Sequence, residues 1–282
     1  MRLVTFDREG DVRAGVLVEG RIAPLADLGE PDSVRELLAD LDAPRAAAIA
    51  ERAAGLEPKF DLGDVRLLAP VPDPEKIICL GLNYRDHADE TGQEIPHAPM
   101  WFGKFRNSLA GEGAAIVLPP ALPDYVDYEA ELAVVIGRPG RDIPREDALT
   151  HVAGAMCMND VTARDLQFEN PLWMSGKAID GFAPCGPSLV TLDELGRLDG
   201  LAVQTRVNGE TLQRGSTADM IFDVPYIVAW LSRTMTLLPG DIIATGTPAG
   251  VGGSRGVFLR PGDLVEVEIE GIGTLTNPVA KA

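Results

Sequence analysis

Asp127-Tyr-Glu129-Ala-Glu131-Leu-Ala-Val-Val-Ile136 reads as a β-strand that changes character along its length. Residues two apart on a strand share a face, so Asp127, Glu129 and Glu131 point one way and Tyr128, Ala130 and Leu132 the other. From Leu132 onward the run is apolar throughout. The acidic half has two readings. One is an exposed acidic face entering the core, which spacing alone favours. The other is a site for a hard cation: adjacent carboxylates oppose one another's ionisation, and a divalent ion reverses that penalty. Such an ion needs oxygen ligands from more than one segment, so a second acidic stretch must exist elsewhere.

Around this run the β signal dominates. Lys76–Leu80, Ala115–Leu118, Tyr128–Ile136, Ala202–Val207, Asp241–Thr245 and Leu264–Ile269 have strand composition. Asn208-Gly209 is a two-residue hairpin turn, because both residues tolerate positive φ. Pro239-Gly-Asp and Pro261-Gly-Asp read as similar turns before strands. A helix is expected from about Pro225 to Leu237, with Asp223 or Val224 near its start and proline in its first turn. Strands and helices do not alternate regularly, which excludes a doubly wound sheet and predicts a β-rich α+β fold. Residues 1–69 differ from the rest. Strand-like Leu3–Phe6 and Arg13–Val18 lead into Ser33–Ala54, which reads as two helices broken by Pro44, with Ser33 capping the first. Pro70, Pro72 and Pro74 then supply a linker, so a small N-terminal domain (1–69) and a catalytic domain (70–282) are expected.

Composition sets outer limits. The 282 residues are 45% apolar and 24% charged, ordinary for a globular protein with a large core. A formal charge of −18 argues against nucleic acid and anionic membranes as partners. The three cysteines, Cys79, Cys157 and Cys185, form no disulfide framework or zinc knuckle. With no signal peptide and no apolar run of membrane-spanning length, a cytoplasmic location is expected.

Asn159-Asp160-Val-Thr-Ala-Arg164-Asp165-Leu-Gln167 offers the second acidic stretch, with Asp160 where a strand gives way to a helix or loop. Its ordinary reading is a helix N-cap. In Asn83-Tyr-Arg85-Asp-His87-Ala-Asp-Glu90, His87 and Glu90 are three apart and would be neighbours on a helical turn. A carboxylate beside an imidazole orients it and raises its basicity, which suits a general base. Gly252-Gly-Ser254-Arg-Gly256 matches a nucleophile elbow as a string, but no histidine follows it and the match is set aside. Thr245-Gly-Thr247-Pro-Ala-Gly-Val-Gly-Gly253 lacks the lysine of a phosphate loop, yet a glycine-rich loop after a strand presents backbone N–H groups to an oxyanion.

Taken together, these segments resemble the fumarylacetoacetate hydrolase family over nearly all of residues 75–279. The likeness runs in order through Gly81–His87, Asp127–Leu132, Asn159–Asp165, Gly176–Phe182, Val207–Glu210, Pro239–Asp241, Thr245–Pro248 and Gly271–Gly273. Thr162 and Ala178 stand where many relatives carry serine. The resemblance implies a mixed β-sandwich or β-roll catalytic domain, assembled as a homodimer. It implies that Glu129, Glu131 and Asp160 hold Mg²⁺ or Mn²⁺ (Ca²⁺ being the other hard cation such ligands take). It further implies a mobile lid carrying His87 and Glu90, with Lys177, Gln167 and Arg85 on a small 2-oxo acid substrate. The Thr247 loop would take the substrate's carboxylate or developing oxyanion. Because the net charge opposes an anionic substrate, Lys177 and further candidates Lys104, Arg85 and Arg106 must reverse the field locally. The expected reaction is hydrolytic C–C cleavage of an acylpyruvate. The alternatives are oxaloacetate decarboxylation and isomerisation of an unsaturated oxo-diacid, and more remotely a catalytically silent binding protein.

Overall fold

The computed structural model describes residues 1–55, 57, 60–120 and 124–282. Within them, a mixed sheet of twelve strands carries most of the chain. Its path runs Phe60–Asp61, Arg21–Pro24, Asp11–Val18, Arg2–Arg8, Ala183–Thr191, Val152–Asn159, Ala130–Ile136, Ile242–Ala244, Ile77–Leu80 and Trp101–Lys104. A second sheet of five strands is built from Glu210–Ser216, Ala202–Val207, Leu264–Ile269, Gly273–Lys281 and Ile116–Leu118. Helices are short and few, so the β-rich α+β expectation holds.

The strand Ala130–Ile136 lies inside the larger sheet and every residue of it is buried. Its two faces feed different cores, as period-two geometry requires. Ala133 and Val135 join Leu25, Leu37 and Ile49 of the N-terminal segment. Ala130, Leu132, Val134 and Ile136 join Val203, Val267 and Leu275 of the five-stranded sheet. An apolar run with no polar alternation is what a strand covered on both faces demands. The N-terminal segment therefore serves as the outer layer over this sheet. Its first strand, Arg2–Arg8, pairs antiparallel with Ala183–Thr191, Leu3 opposite Leu189.

Local chemistry accounts for most of the boundaries. Ser33 caps Val34–Leu38 by accepting from Glu36 N, and Pro44 falls in the first turn of Ala43–Gly55. Asn208 and Gly209 have φ of 53° and 81°, as the hairpin turn requires. Asp223 caps Val224–Ser232 by accepting from Tyr226 N, and this helix stops short of Leu237. Its last residue, Ser232, turns its hydroxyl back to Ala229 O and lends the same oxygen to Ile143 N. Both Pro-Gly-Asp turns use one device: the aspartate accepts the backbone N–H three residues earlier, Leu238 for Asp241 and Arg260 for Asp263.

Two differences from the sequence-based expectation have physical causes. Ala183–Thr191 is a central strand, yet Pro184, Gly186 and Pro187 hide it, since proline cannot donate to a ladder. The register with Val152–Asn159 shifts between Ala155 and Cys157, absorbing the missing donors. The strand expected over Tyr128–Ile136 begins at Ala130, because side chains replace the ladder just before it. Asn159 Oδ1 takes Glu129 N at 3.0 Å, and Asp160 N donates to Glu129 O at 2.9 Å. That break takes Glu129 out of the regular ladder, while Glu131 stays in it opposite Met158.

Asp241 is fully buried and bonds Lys76 N, Leu238 N and, at 2.8 Å, Lys76 Nζ. Asp241→Ala is expected to lower stability by roughly 2–4 kcal/mol, since it orphans two amides and a partly buried ammonium. Urea unfolding followed by circular dichroism checks this, and a midpoint within error of wild type contradicts it.

Candidate active site and metal centre

Two neighbouring strands converge at one end of the sheet. Val126–Asp127 pairs with Thr162–Ala163, and Ala130–Ile136 pairs with Val152–Asn159. The gap between these ladders brings Glu129, Glu131 and Asp160 together, with one carboxylate oxygen of each within 4.8 Å of the others. All three are buried. Asp127 lies behind them and is also fully buried. Three cations enter the same cluster. Lys177 Nζ bridges Glu129 Oε2 at 2.7 Å and Asp160 Oδ2 at 2.8 Å. Lys104 Nζ meets Asp160 Oδ1 at 2.6 Å. Arg164 Nη2 lies 2.5 Å from Glu129 Oε1 and 3.0 Å from Asp127 Oδ2.

The electrostatic consequence differs between the two glutamates. Burial pushes Glu129 up, but Lys177 and Arg164 outweigh it and draw its carboxyl down to about 2. Glu131 goes the other way. Burial, then the charges of Asp160 and Glu129, drive it well above the ordinary carboxylate range. Its one hydrogen-bond donor is Gly246 N, at 2.9 Å. Among the described residues no Lys or Arg nitrogen comes within ion-pair distance of Glu131. Four carboxyls face three cations, and Glu131 is the one that none of the three touches, which is why it is driven toward its neutral form. A divalent cation there would supply the missing charge to three converging oxygens, so the residues fit a hard metal ion. Lys177 is pulled down by burial but raised further by Asp160 and Glu129, so its ammonium stays protonated.

A cavity of about 290 Å³ opens above this cluster. His87, Glu129, Glu131, Arg164, Gln167, Lys177 and Thr247 line it, with Leu80, Phe102, Trp173 and Phe258 among the apolar walls. His87 stands on the helix Arg85–Thr91, where its Nδ1 meets Glu90 Oε2 at 3.1 Å. The other oxygen of Glu90 accepts Gly250 N at 2.9 Å. His87 and two members of the carboxylate triad, Glu129 and Glu131, thus line one space.

The remaining expected residues fare differently. Gln167 lines the cavity, but its Oε1 is held by Arg164 Nη1 at 3.0 Å. Thr247 also lines it, while its hydroxyl donates to Ala130 O at 2.8 Å. Arg85 lies outside this cavity; its guanidinium donates to the carbonyls of Asp219 and Met220 and lines a separate groove. The stretch Gly252–Gly256, set aside as a nucleophile elbow, contributes Gly253 and Ser254 to the cavity wall. Asp127 Oδ2 fastens that wall by accepting Gly253 N at 2.6 Å. Arg164 had no role in the sequence-based expectation. The available signal was electrostatic: buried carboxylates need buried cations, and Arg164 follows Asp160 within four residues.

Comparison with known proteins agrees with this geometry. The family profile described as fumarylacetoacetate (FAA) hydrolase C-terminal matches residues 76–280. The chain belongs to the fumarylacetoacetate hydrolase family. It is 48% identical over 227 residues to an oxaloacetate tautomerase of Bacillus subtilis, covering 78% of this chain and 75% of that protein. It is 44% identical over 238 residues to a mitochondrial oxaloacetate tautomerase of rat, covering 83% and 76%. Among solved structures, a maleylpyruvate hydrolase from Sphingobium in complex with manganese(II) ion and pyruvate superposes with a TM-score of 0.84. The two are 33% identical and both chains are covered completely. No helix among the described residues is long and apolar enough to cross a membrane.

Because the folded state raises Glu131 above its unfolded value, this group favours folding most below pH about 4.5, and that contribution is lost as pH rises. Glu131→Gln is therefore expected to raise the melting temperature of metal-free protein at pH 7. The gain should shrink as pH falls toward 4.5, and Mn²⁺ should no longer stabilise the variant. Thermal melts with and without Mn²⁺ across this pH range decide it, and an unchanged response to Mn²⁺ would rule out Glu131 as a ligand.

Proposed function

We propose that this protein is a divalent-metal-dependent enzyme that interconverts the keto and enol forms of a short 2-oxo acid, with oxaloacetate as its first candidate. The observation that carries the reading is the buried Glu131, without a cation partner among the described residues, clustered with Glu129 and Asp160 and lining one cavity with His87, whose Nδ1 Glu90 holds. Relatives up to 48% identical that act as oxaloacetate tautomerases favour this reaction over the hydrolysis expected from motifs alone. Glu129, Glu131 and Asp160 would hold Mg²⁺ or Mn²⁺. When bound, such an ion polarises the 2-oxo and carboxylate oxygens of the substrate and lowers the cost of enolate character.

The chain's own residues do the rest. Glu90 occupies His87 Nδ1, which leaves Nε2 as the nitrogen that exchanges a proton with C3 of the substrate. Lys177, kept protonated by Glu129 and Asp160, balances the negative charge of the 2-oxo acid. Leu80, Phe102 and Trp173 keep bulk water from the reacting carbon. C–C hydrolysis of an acylpyruvate is the second reading. It is favoured by the apolar wall of Phe102, Trp173 and Phe258, which suits an acyl substituent better than a second carboxylate. In that reaction His87 takes its proton from an attacking water. We also propose a homodimer, which light scattering at micromolar concentration checks; a monomeric mass contradicts it.

The deciding assay follows enol-oxaloacetate absorbance and acylpyruvate cleavage with saturating Mn²⁺. Oxaloacetate tautomerisation is expected to be the faster. His87→Ala is expected to lower it by about 10²–10⁴-fold while leaving Mn²⁺ affinity nearly unchanged. Faster acylpyruvate cleavage promotes the hydrolase reading, whereas loss of CO₂ from oxaloacetate as the dominant event means a decarboxylase. An undiminished rate in His87→Ala removes the proton-transfer assignment.

A further inference from the structure

Gln213 lies outside the cavity, on the strand Glu210–Ser216 of the five-stranded sheet, yet its side chain is buried and uses all its hydrogen-bonding groups on the site's own backbone and its neighbours. Its Oε1 accepts from Ala130 N at 2.9 Å and from Thr205 Oγ1 at 2.7 Å. Its Nε2 donates to Thr247 Oγ1 and to Pro248 O, both at 2.9 Å. The orientation of this amide is forced, since Ala130 N can only donate and Pro248 O can only accept. Ala130 separates the two carboxylates Glu129 and Glu131. Thr247 and Pro248 belong to the loop that also carries Gly246, which holds Glu131, and Gly250, which holds Glu90. The Thr247 hydroxyl closes the circuit by donating to Ala130 O.

Packing shows how tightly this loop is fitted to the Gln213 strand. A Cβ on Gly250 would collide with Leu212 O, and one on Gly215 with Pro248 Cβ. Gly250 also has a φ of 101°, which side-chain-bearing residues rarely adopt. The loop 246–250 is thus clamped from behind by one strand and meets the His87–Glu90 helix in front.

We propose that Gln213 is a positioning residue that sets the distance between the acidic triad and the His87–Glu90 pair, by pinning the 246–250 loop to the backbone between Glu129 and Glu131. Replacing its amide leaves Ala130 N, Thr247 Oγ1 and Pro248 O without their partner in a dry interface. The loop then parts from the acidic strand, and the helix Arg85–Thr91 loses its docking point at Gly250.

Gln213→Met keeps the volume and removes the polarity, whereas Gln213→Glu keeps the acceptor and removes both donors. Hydrogen exchange read by mass spectrometry is compared for the metal-free full chain. In both variants, segments 245–251 and 85–92 are expected to exchange at least about tenfold faster, with 132–136 and 264–269 unchanged. On oxaloacetate, kcat is expected to fall more than about tenfold with KM changed less than threefold, because binding groups remain while proton-transfer geometry is lost. Wild-type protection of the loop in the variants overturns the proposal, as does an equal loss of protection in all four segments. If Gln213→Met does not fold, Gln213→Glu carries the same comparison. The kinetic arm rests on the proposed function; the exchange arm needs neither metal nor substrate. A wild type inert toward every 2-oxo acid therefore defeats the proposed function, while the exchange rates still decide the role of Gln213.

Discussion

Four carboxylates buried beside three cations set the terms for the rest of the molecule. Like charges in a dry interior are costly, and each ammonium or guanidinium relieves the cost only where it touches. Lys177, Lys104 and Arg164 reach Asp127, Glu129 and Asp160, and Glu131 is left over. That imbalance suits the site to a further cation.

The same imbalance separates roles among residues that look alike. Glu129 and Glu131 are two apart on one chain segment, yet one is held ionised by cations and the other is driven toward protonation. Asp127 continues the same face, and burial is the first cause that pushes its carboxyl up, to about 6, with Arg164 working against it. It serves as the anchor of Arg164 and of the Gly253 wall rather than as a member of the triad. Residues that share a face by period two thus become two members of the acidic triad and a brace, according to which cations the tertiary fold delivers.

Tautomerisation, C–C hydrolysis and decarboxylation, the reactions weighed for this site, all pass through the charge distribution of a 2-oxo acid enolate. What distinguishes them is the bond that breaks at the substrate, and in the proposed reaction the His87–Glu90 pair would move the proton. The pair is docked on Gly250, and Gly250 is packed on the strand carrying Gln213. The position of His87 is therefore tied, through the loop 246–250, to a strand of the five-stranded sheet.

Much of the molecule was legible from residue order alone. The strand runs, the Asn208-Gly209 hairpin, the Ser33 and Asp223 caps and the paired Pro-Gly-Asp turns are local chemistry, decided by φ preferences and side-chain donors within a few residues. The shared face of Glu129 and Glu131 and the adjacency of His87 and Glu90 follow from the repeat of a strand and of a helix. Local rules missed the central strand Ala183–Thr191, since its prolines are tolerated only through a register shift with a neighbour distant in sequence. The resemblance, not a local rule, suggested Arg85 for the substrate; in the fold its guanidinium donates to the carbonyls of Asp219 and Met220. Arg164 and Gln213 were invisible for a common reason. A buried charge or amide acquires its role from the particular groups left unpaired around it, and only tertiary packing decides which groups those are.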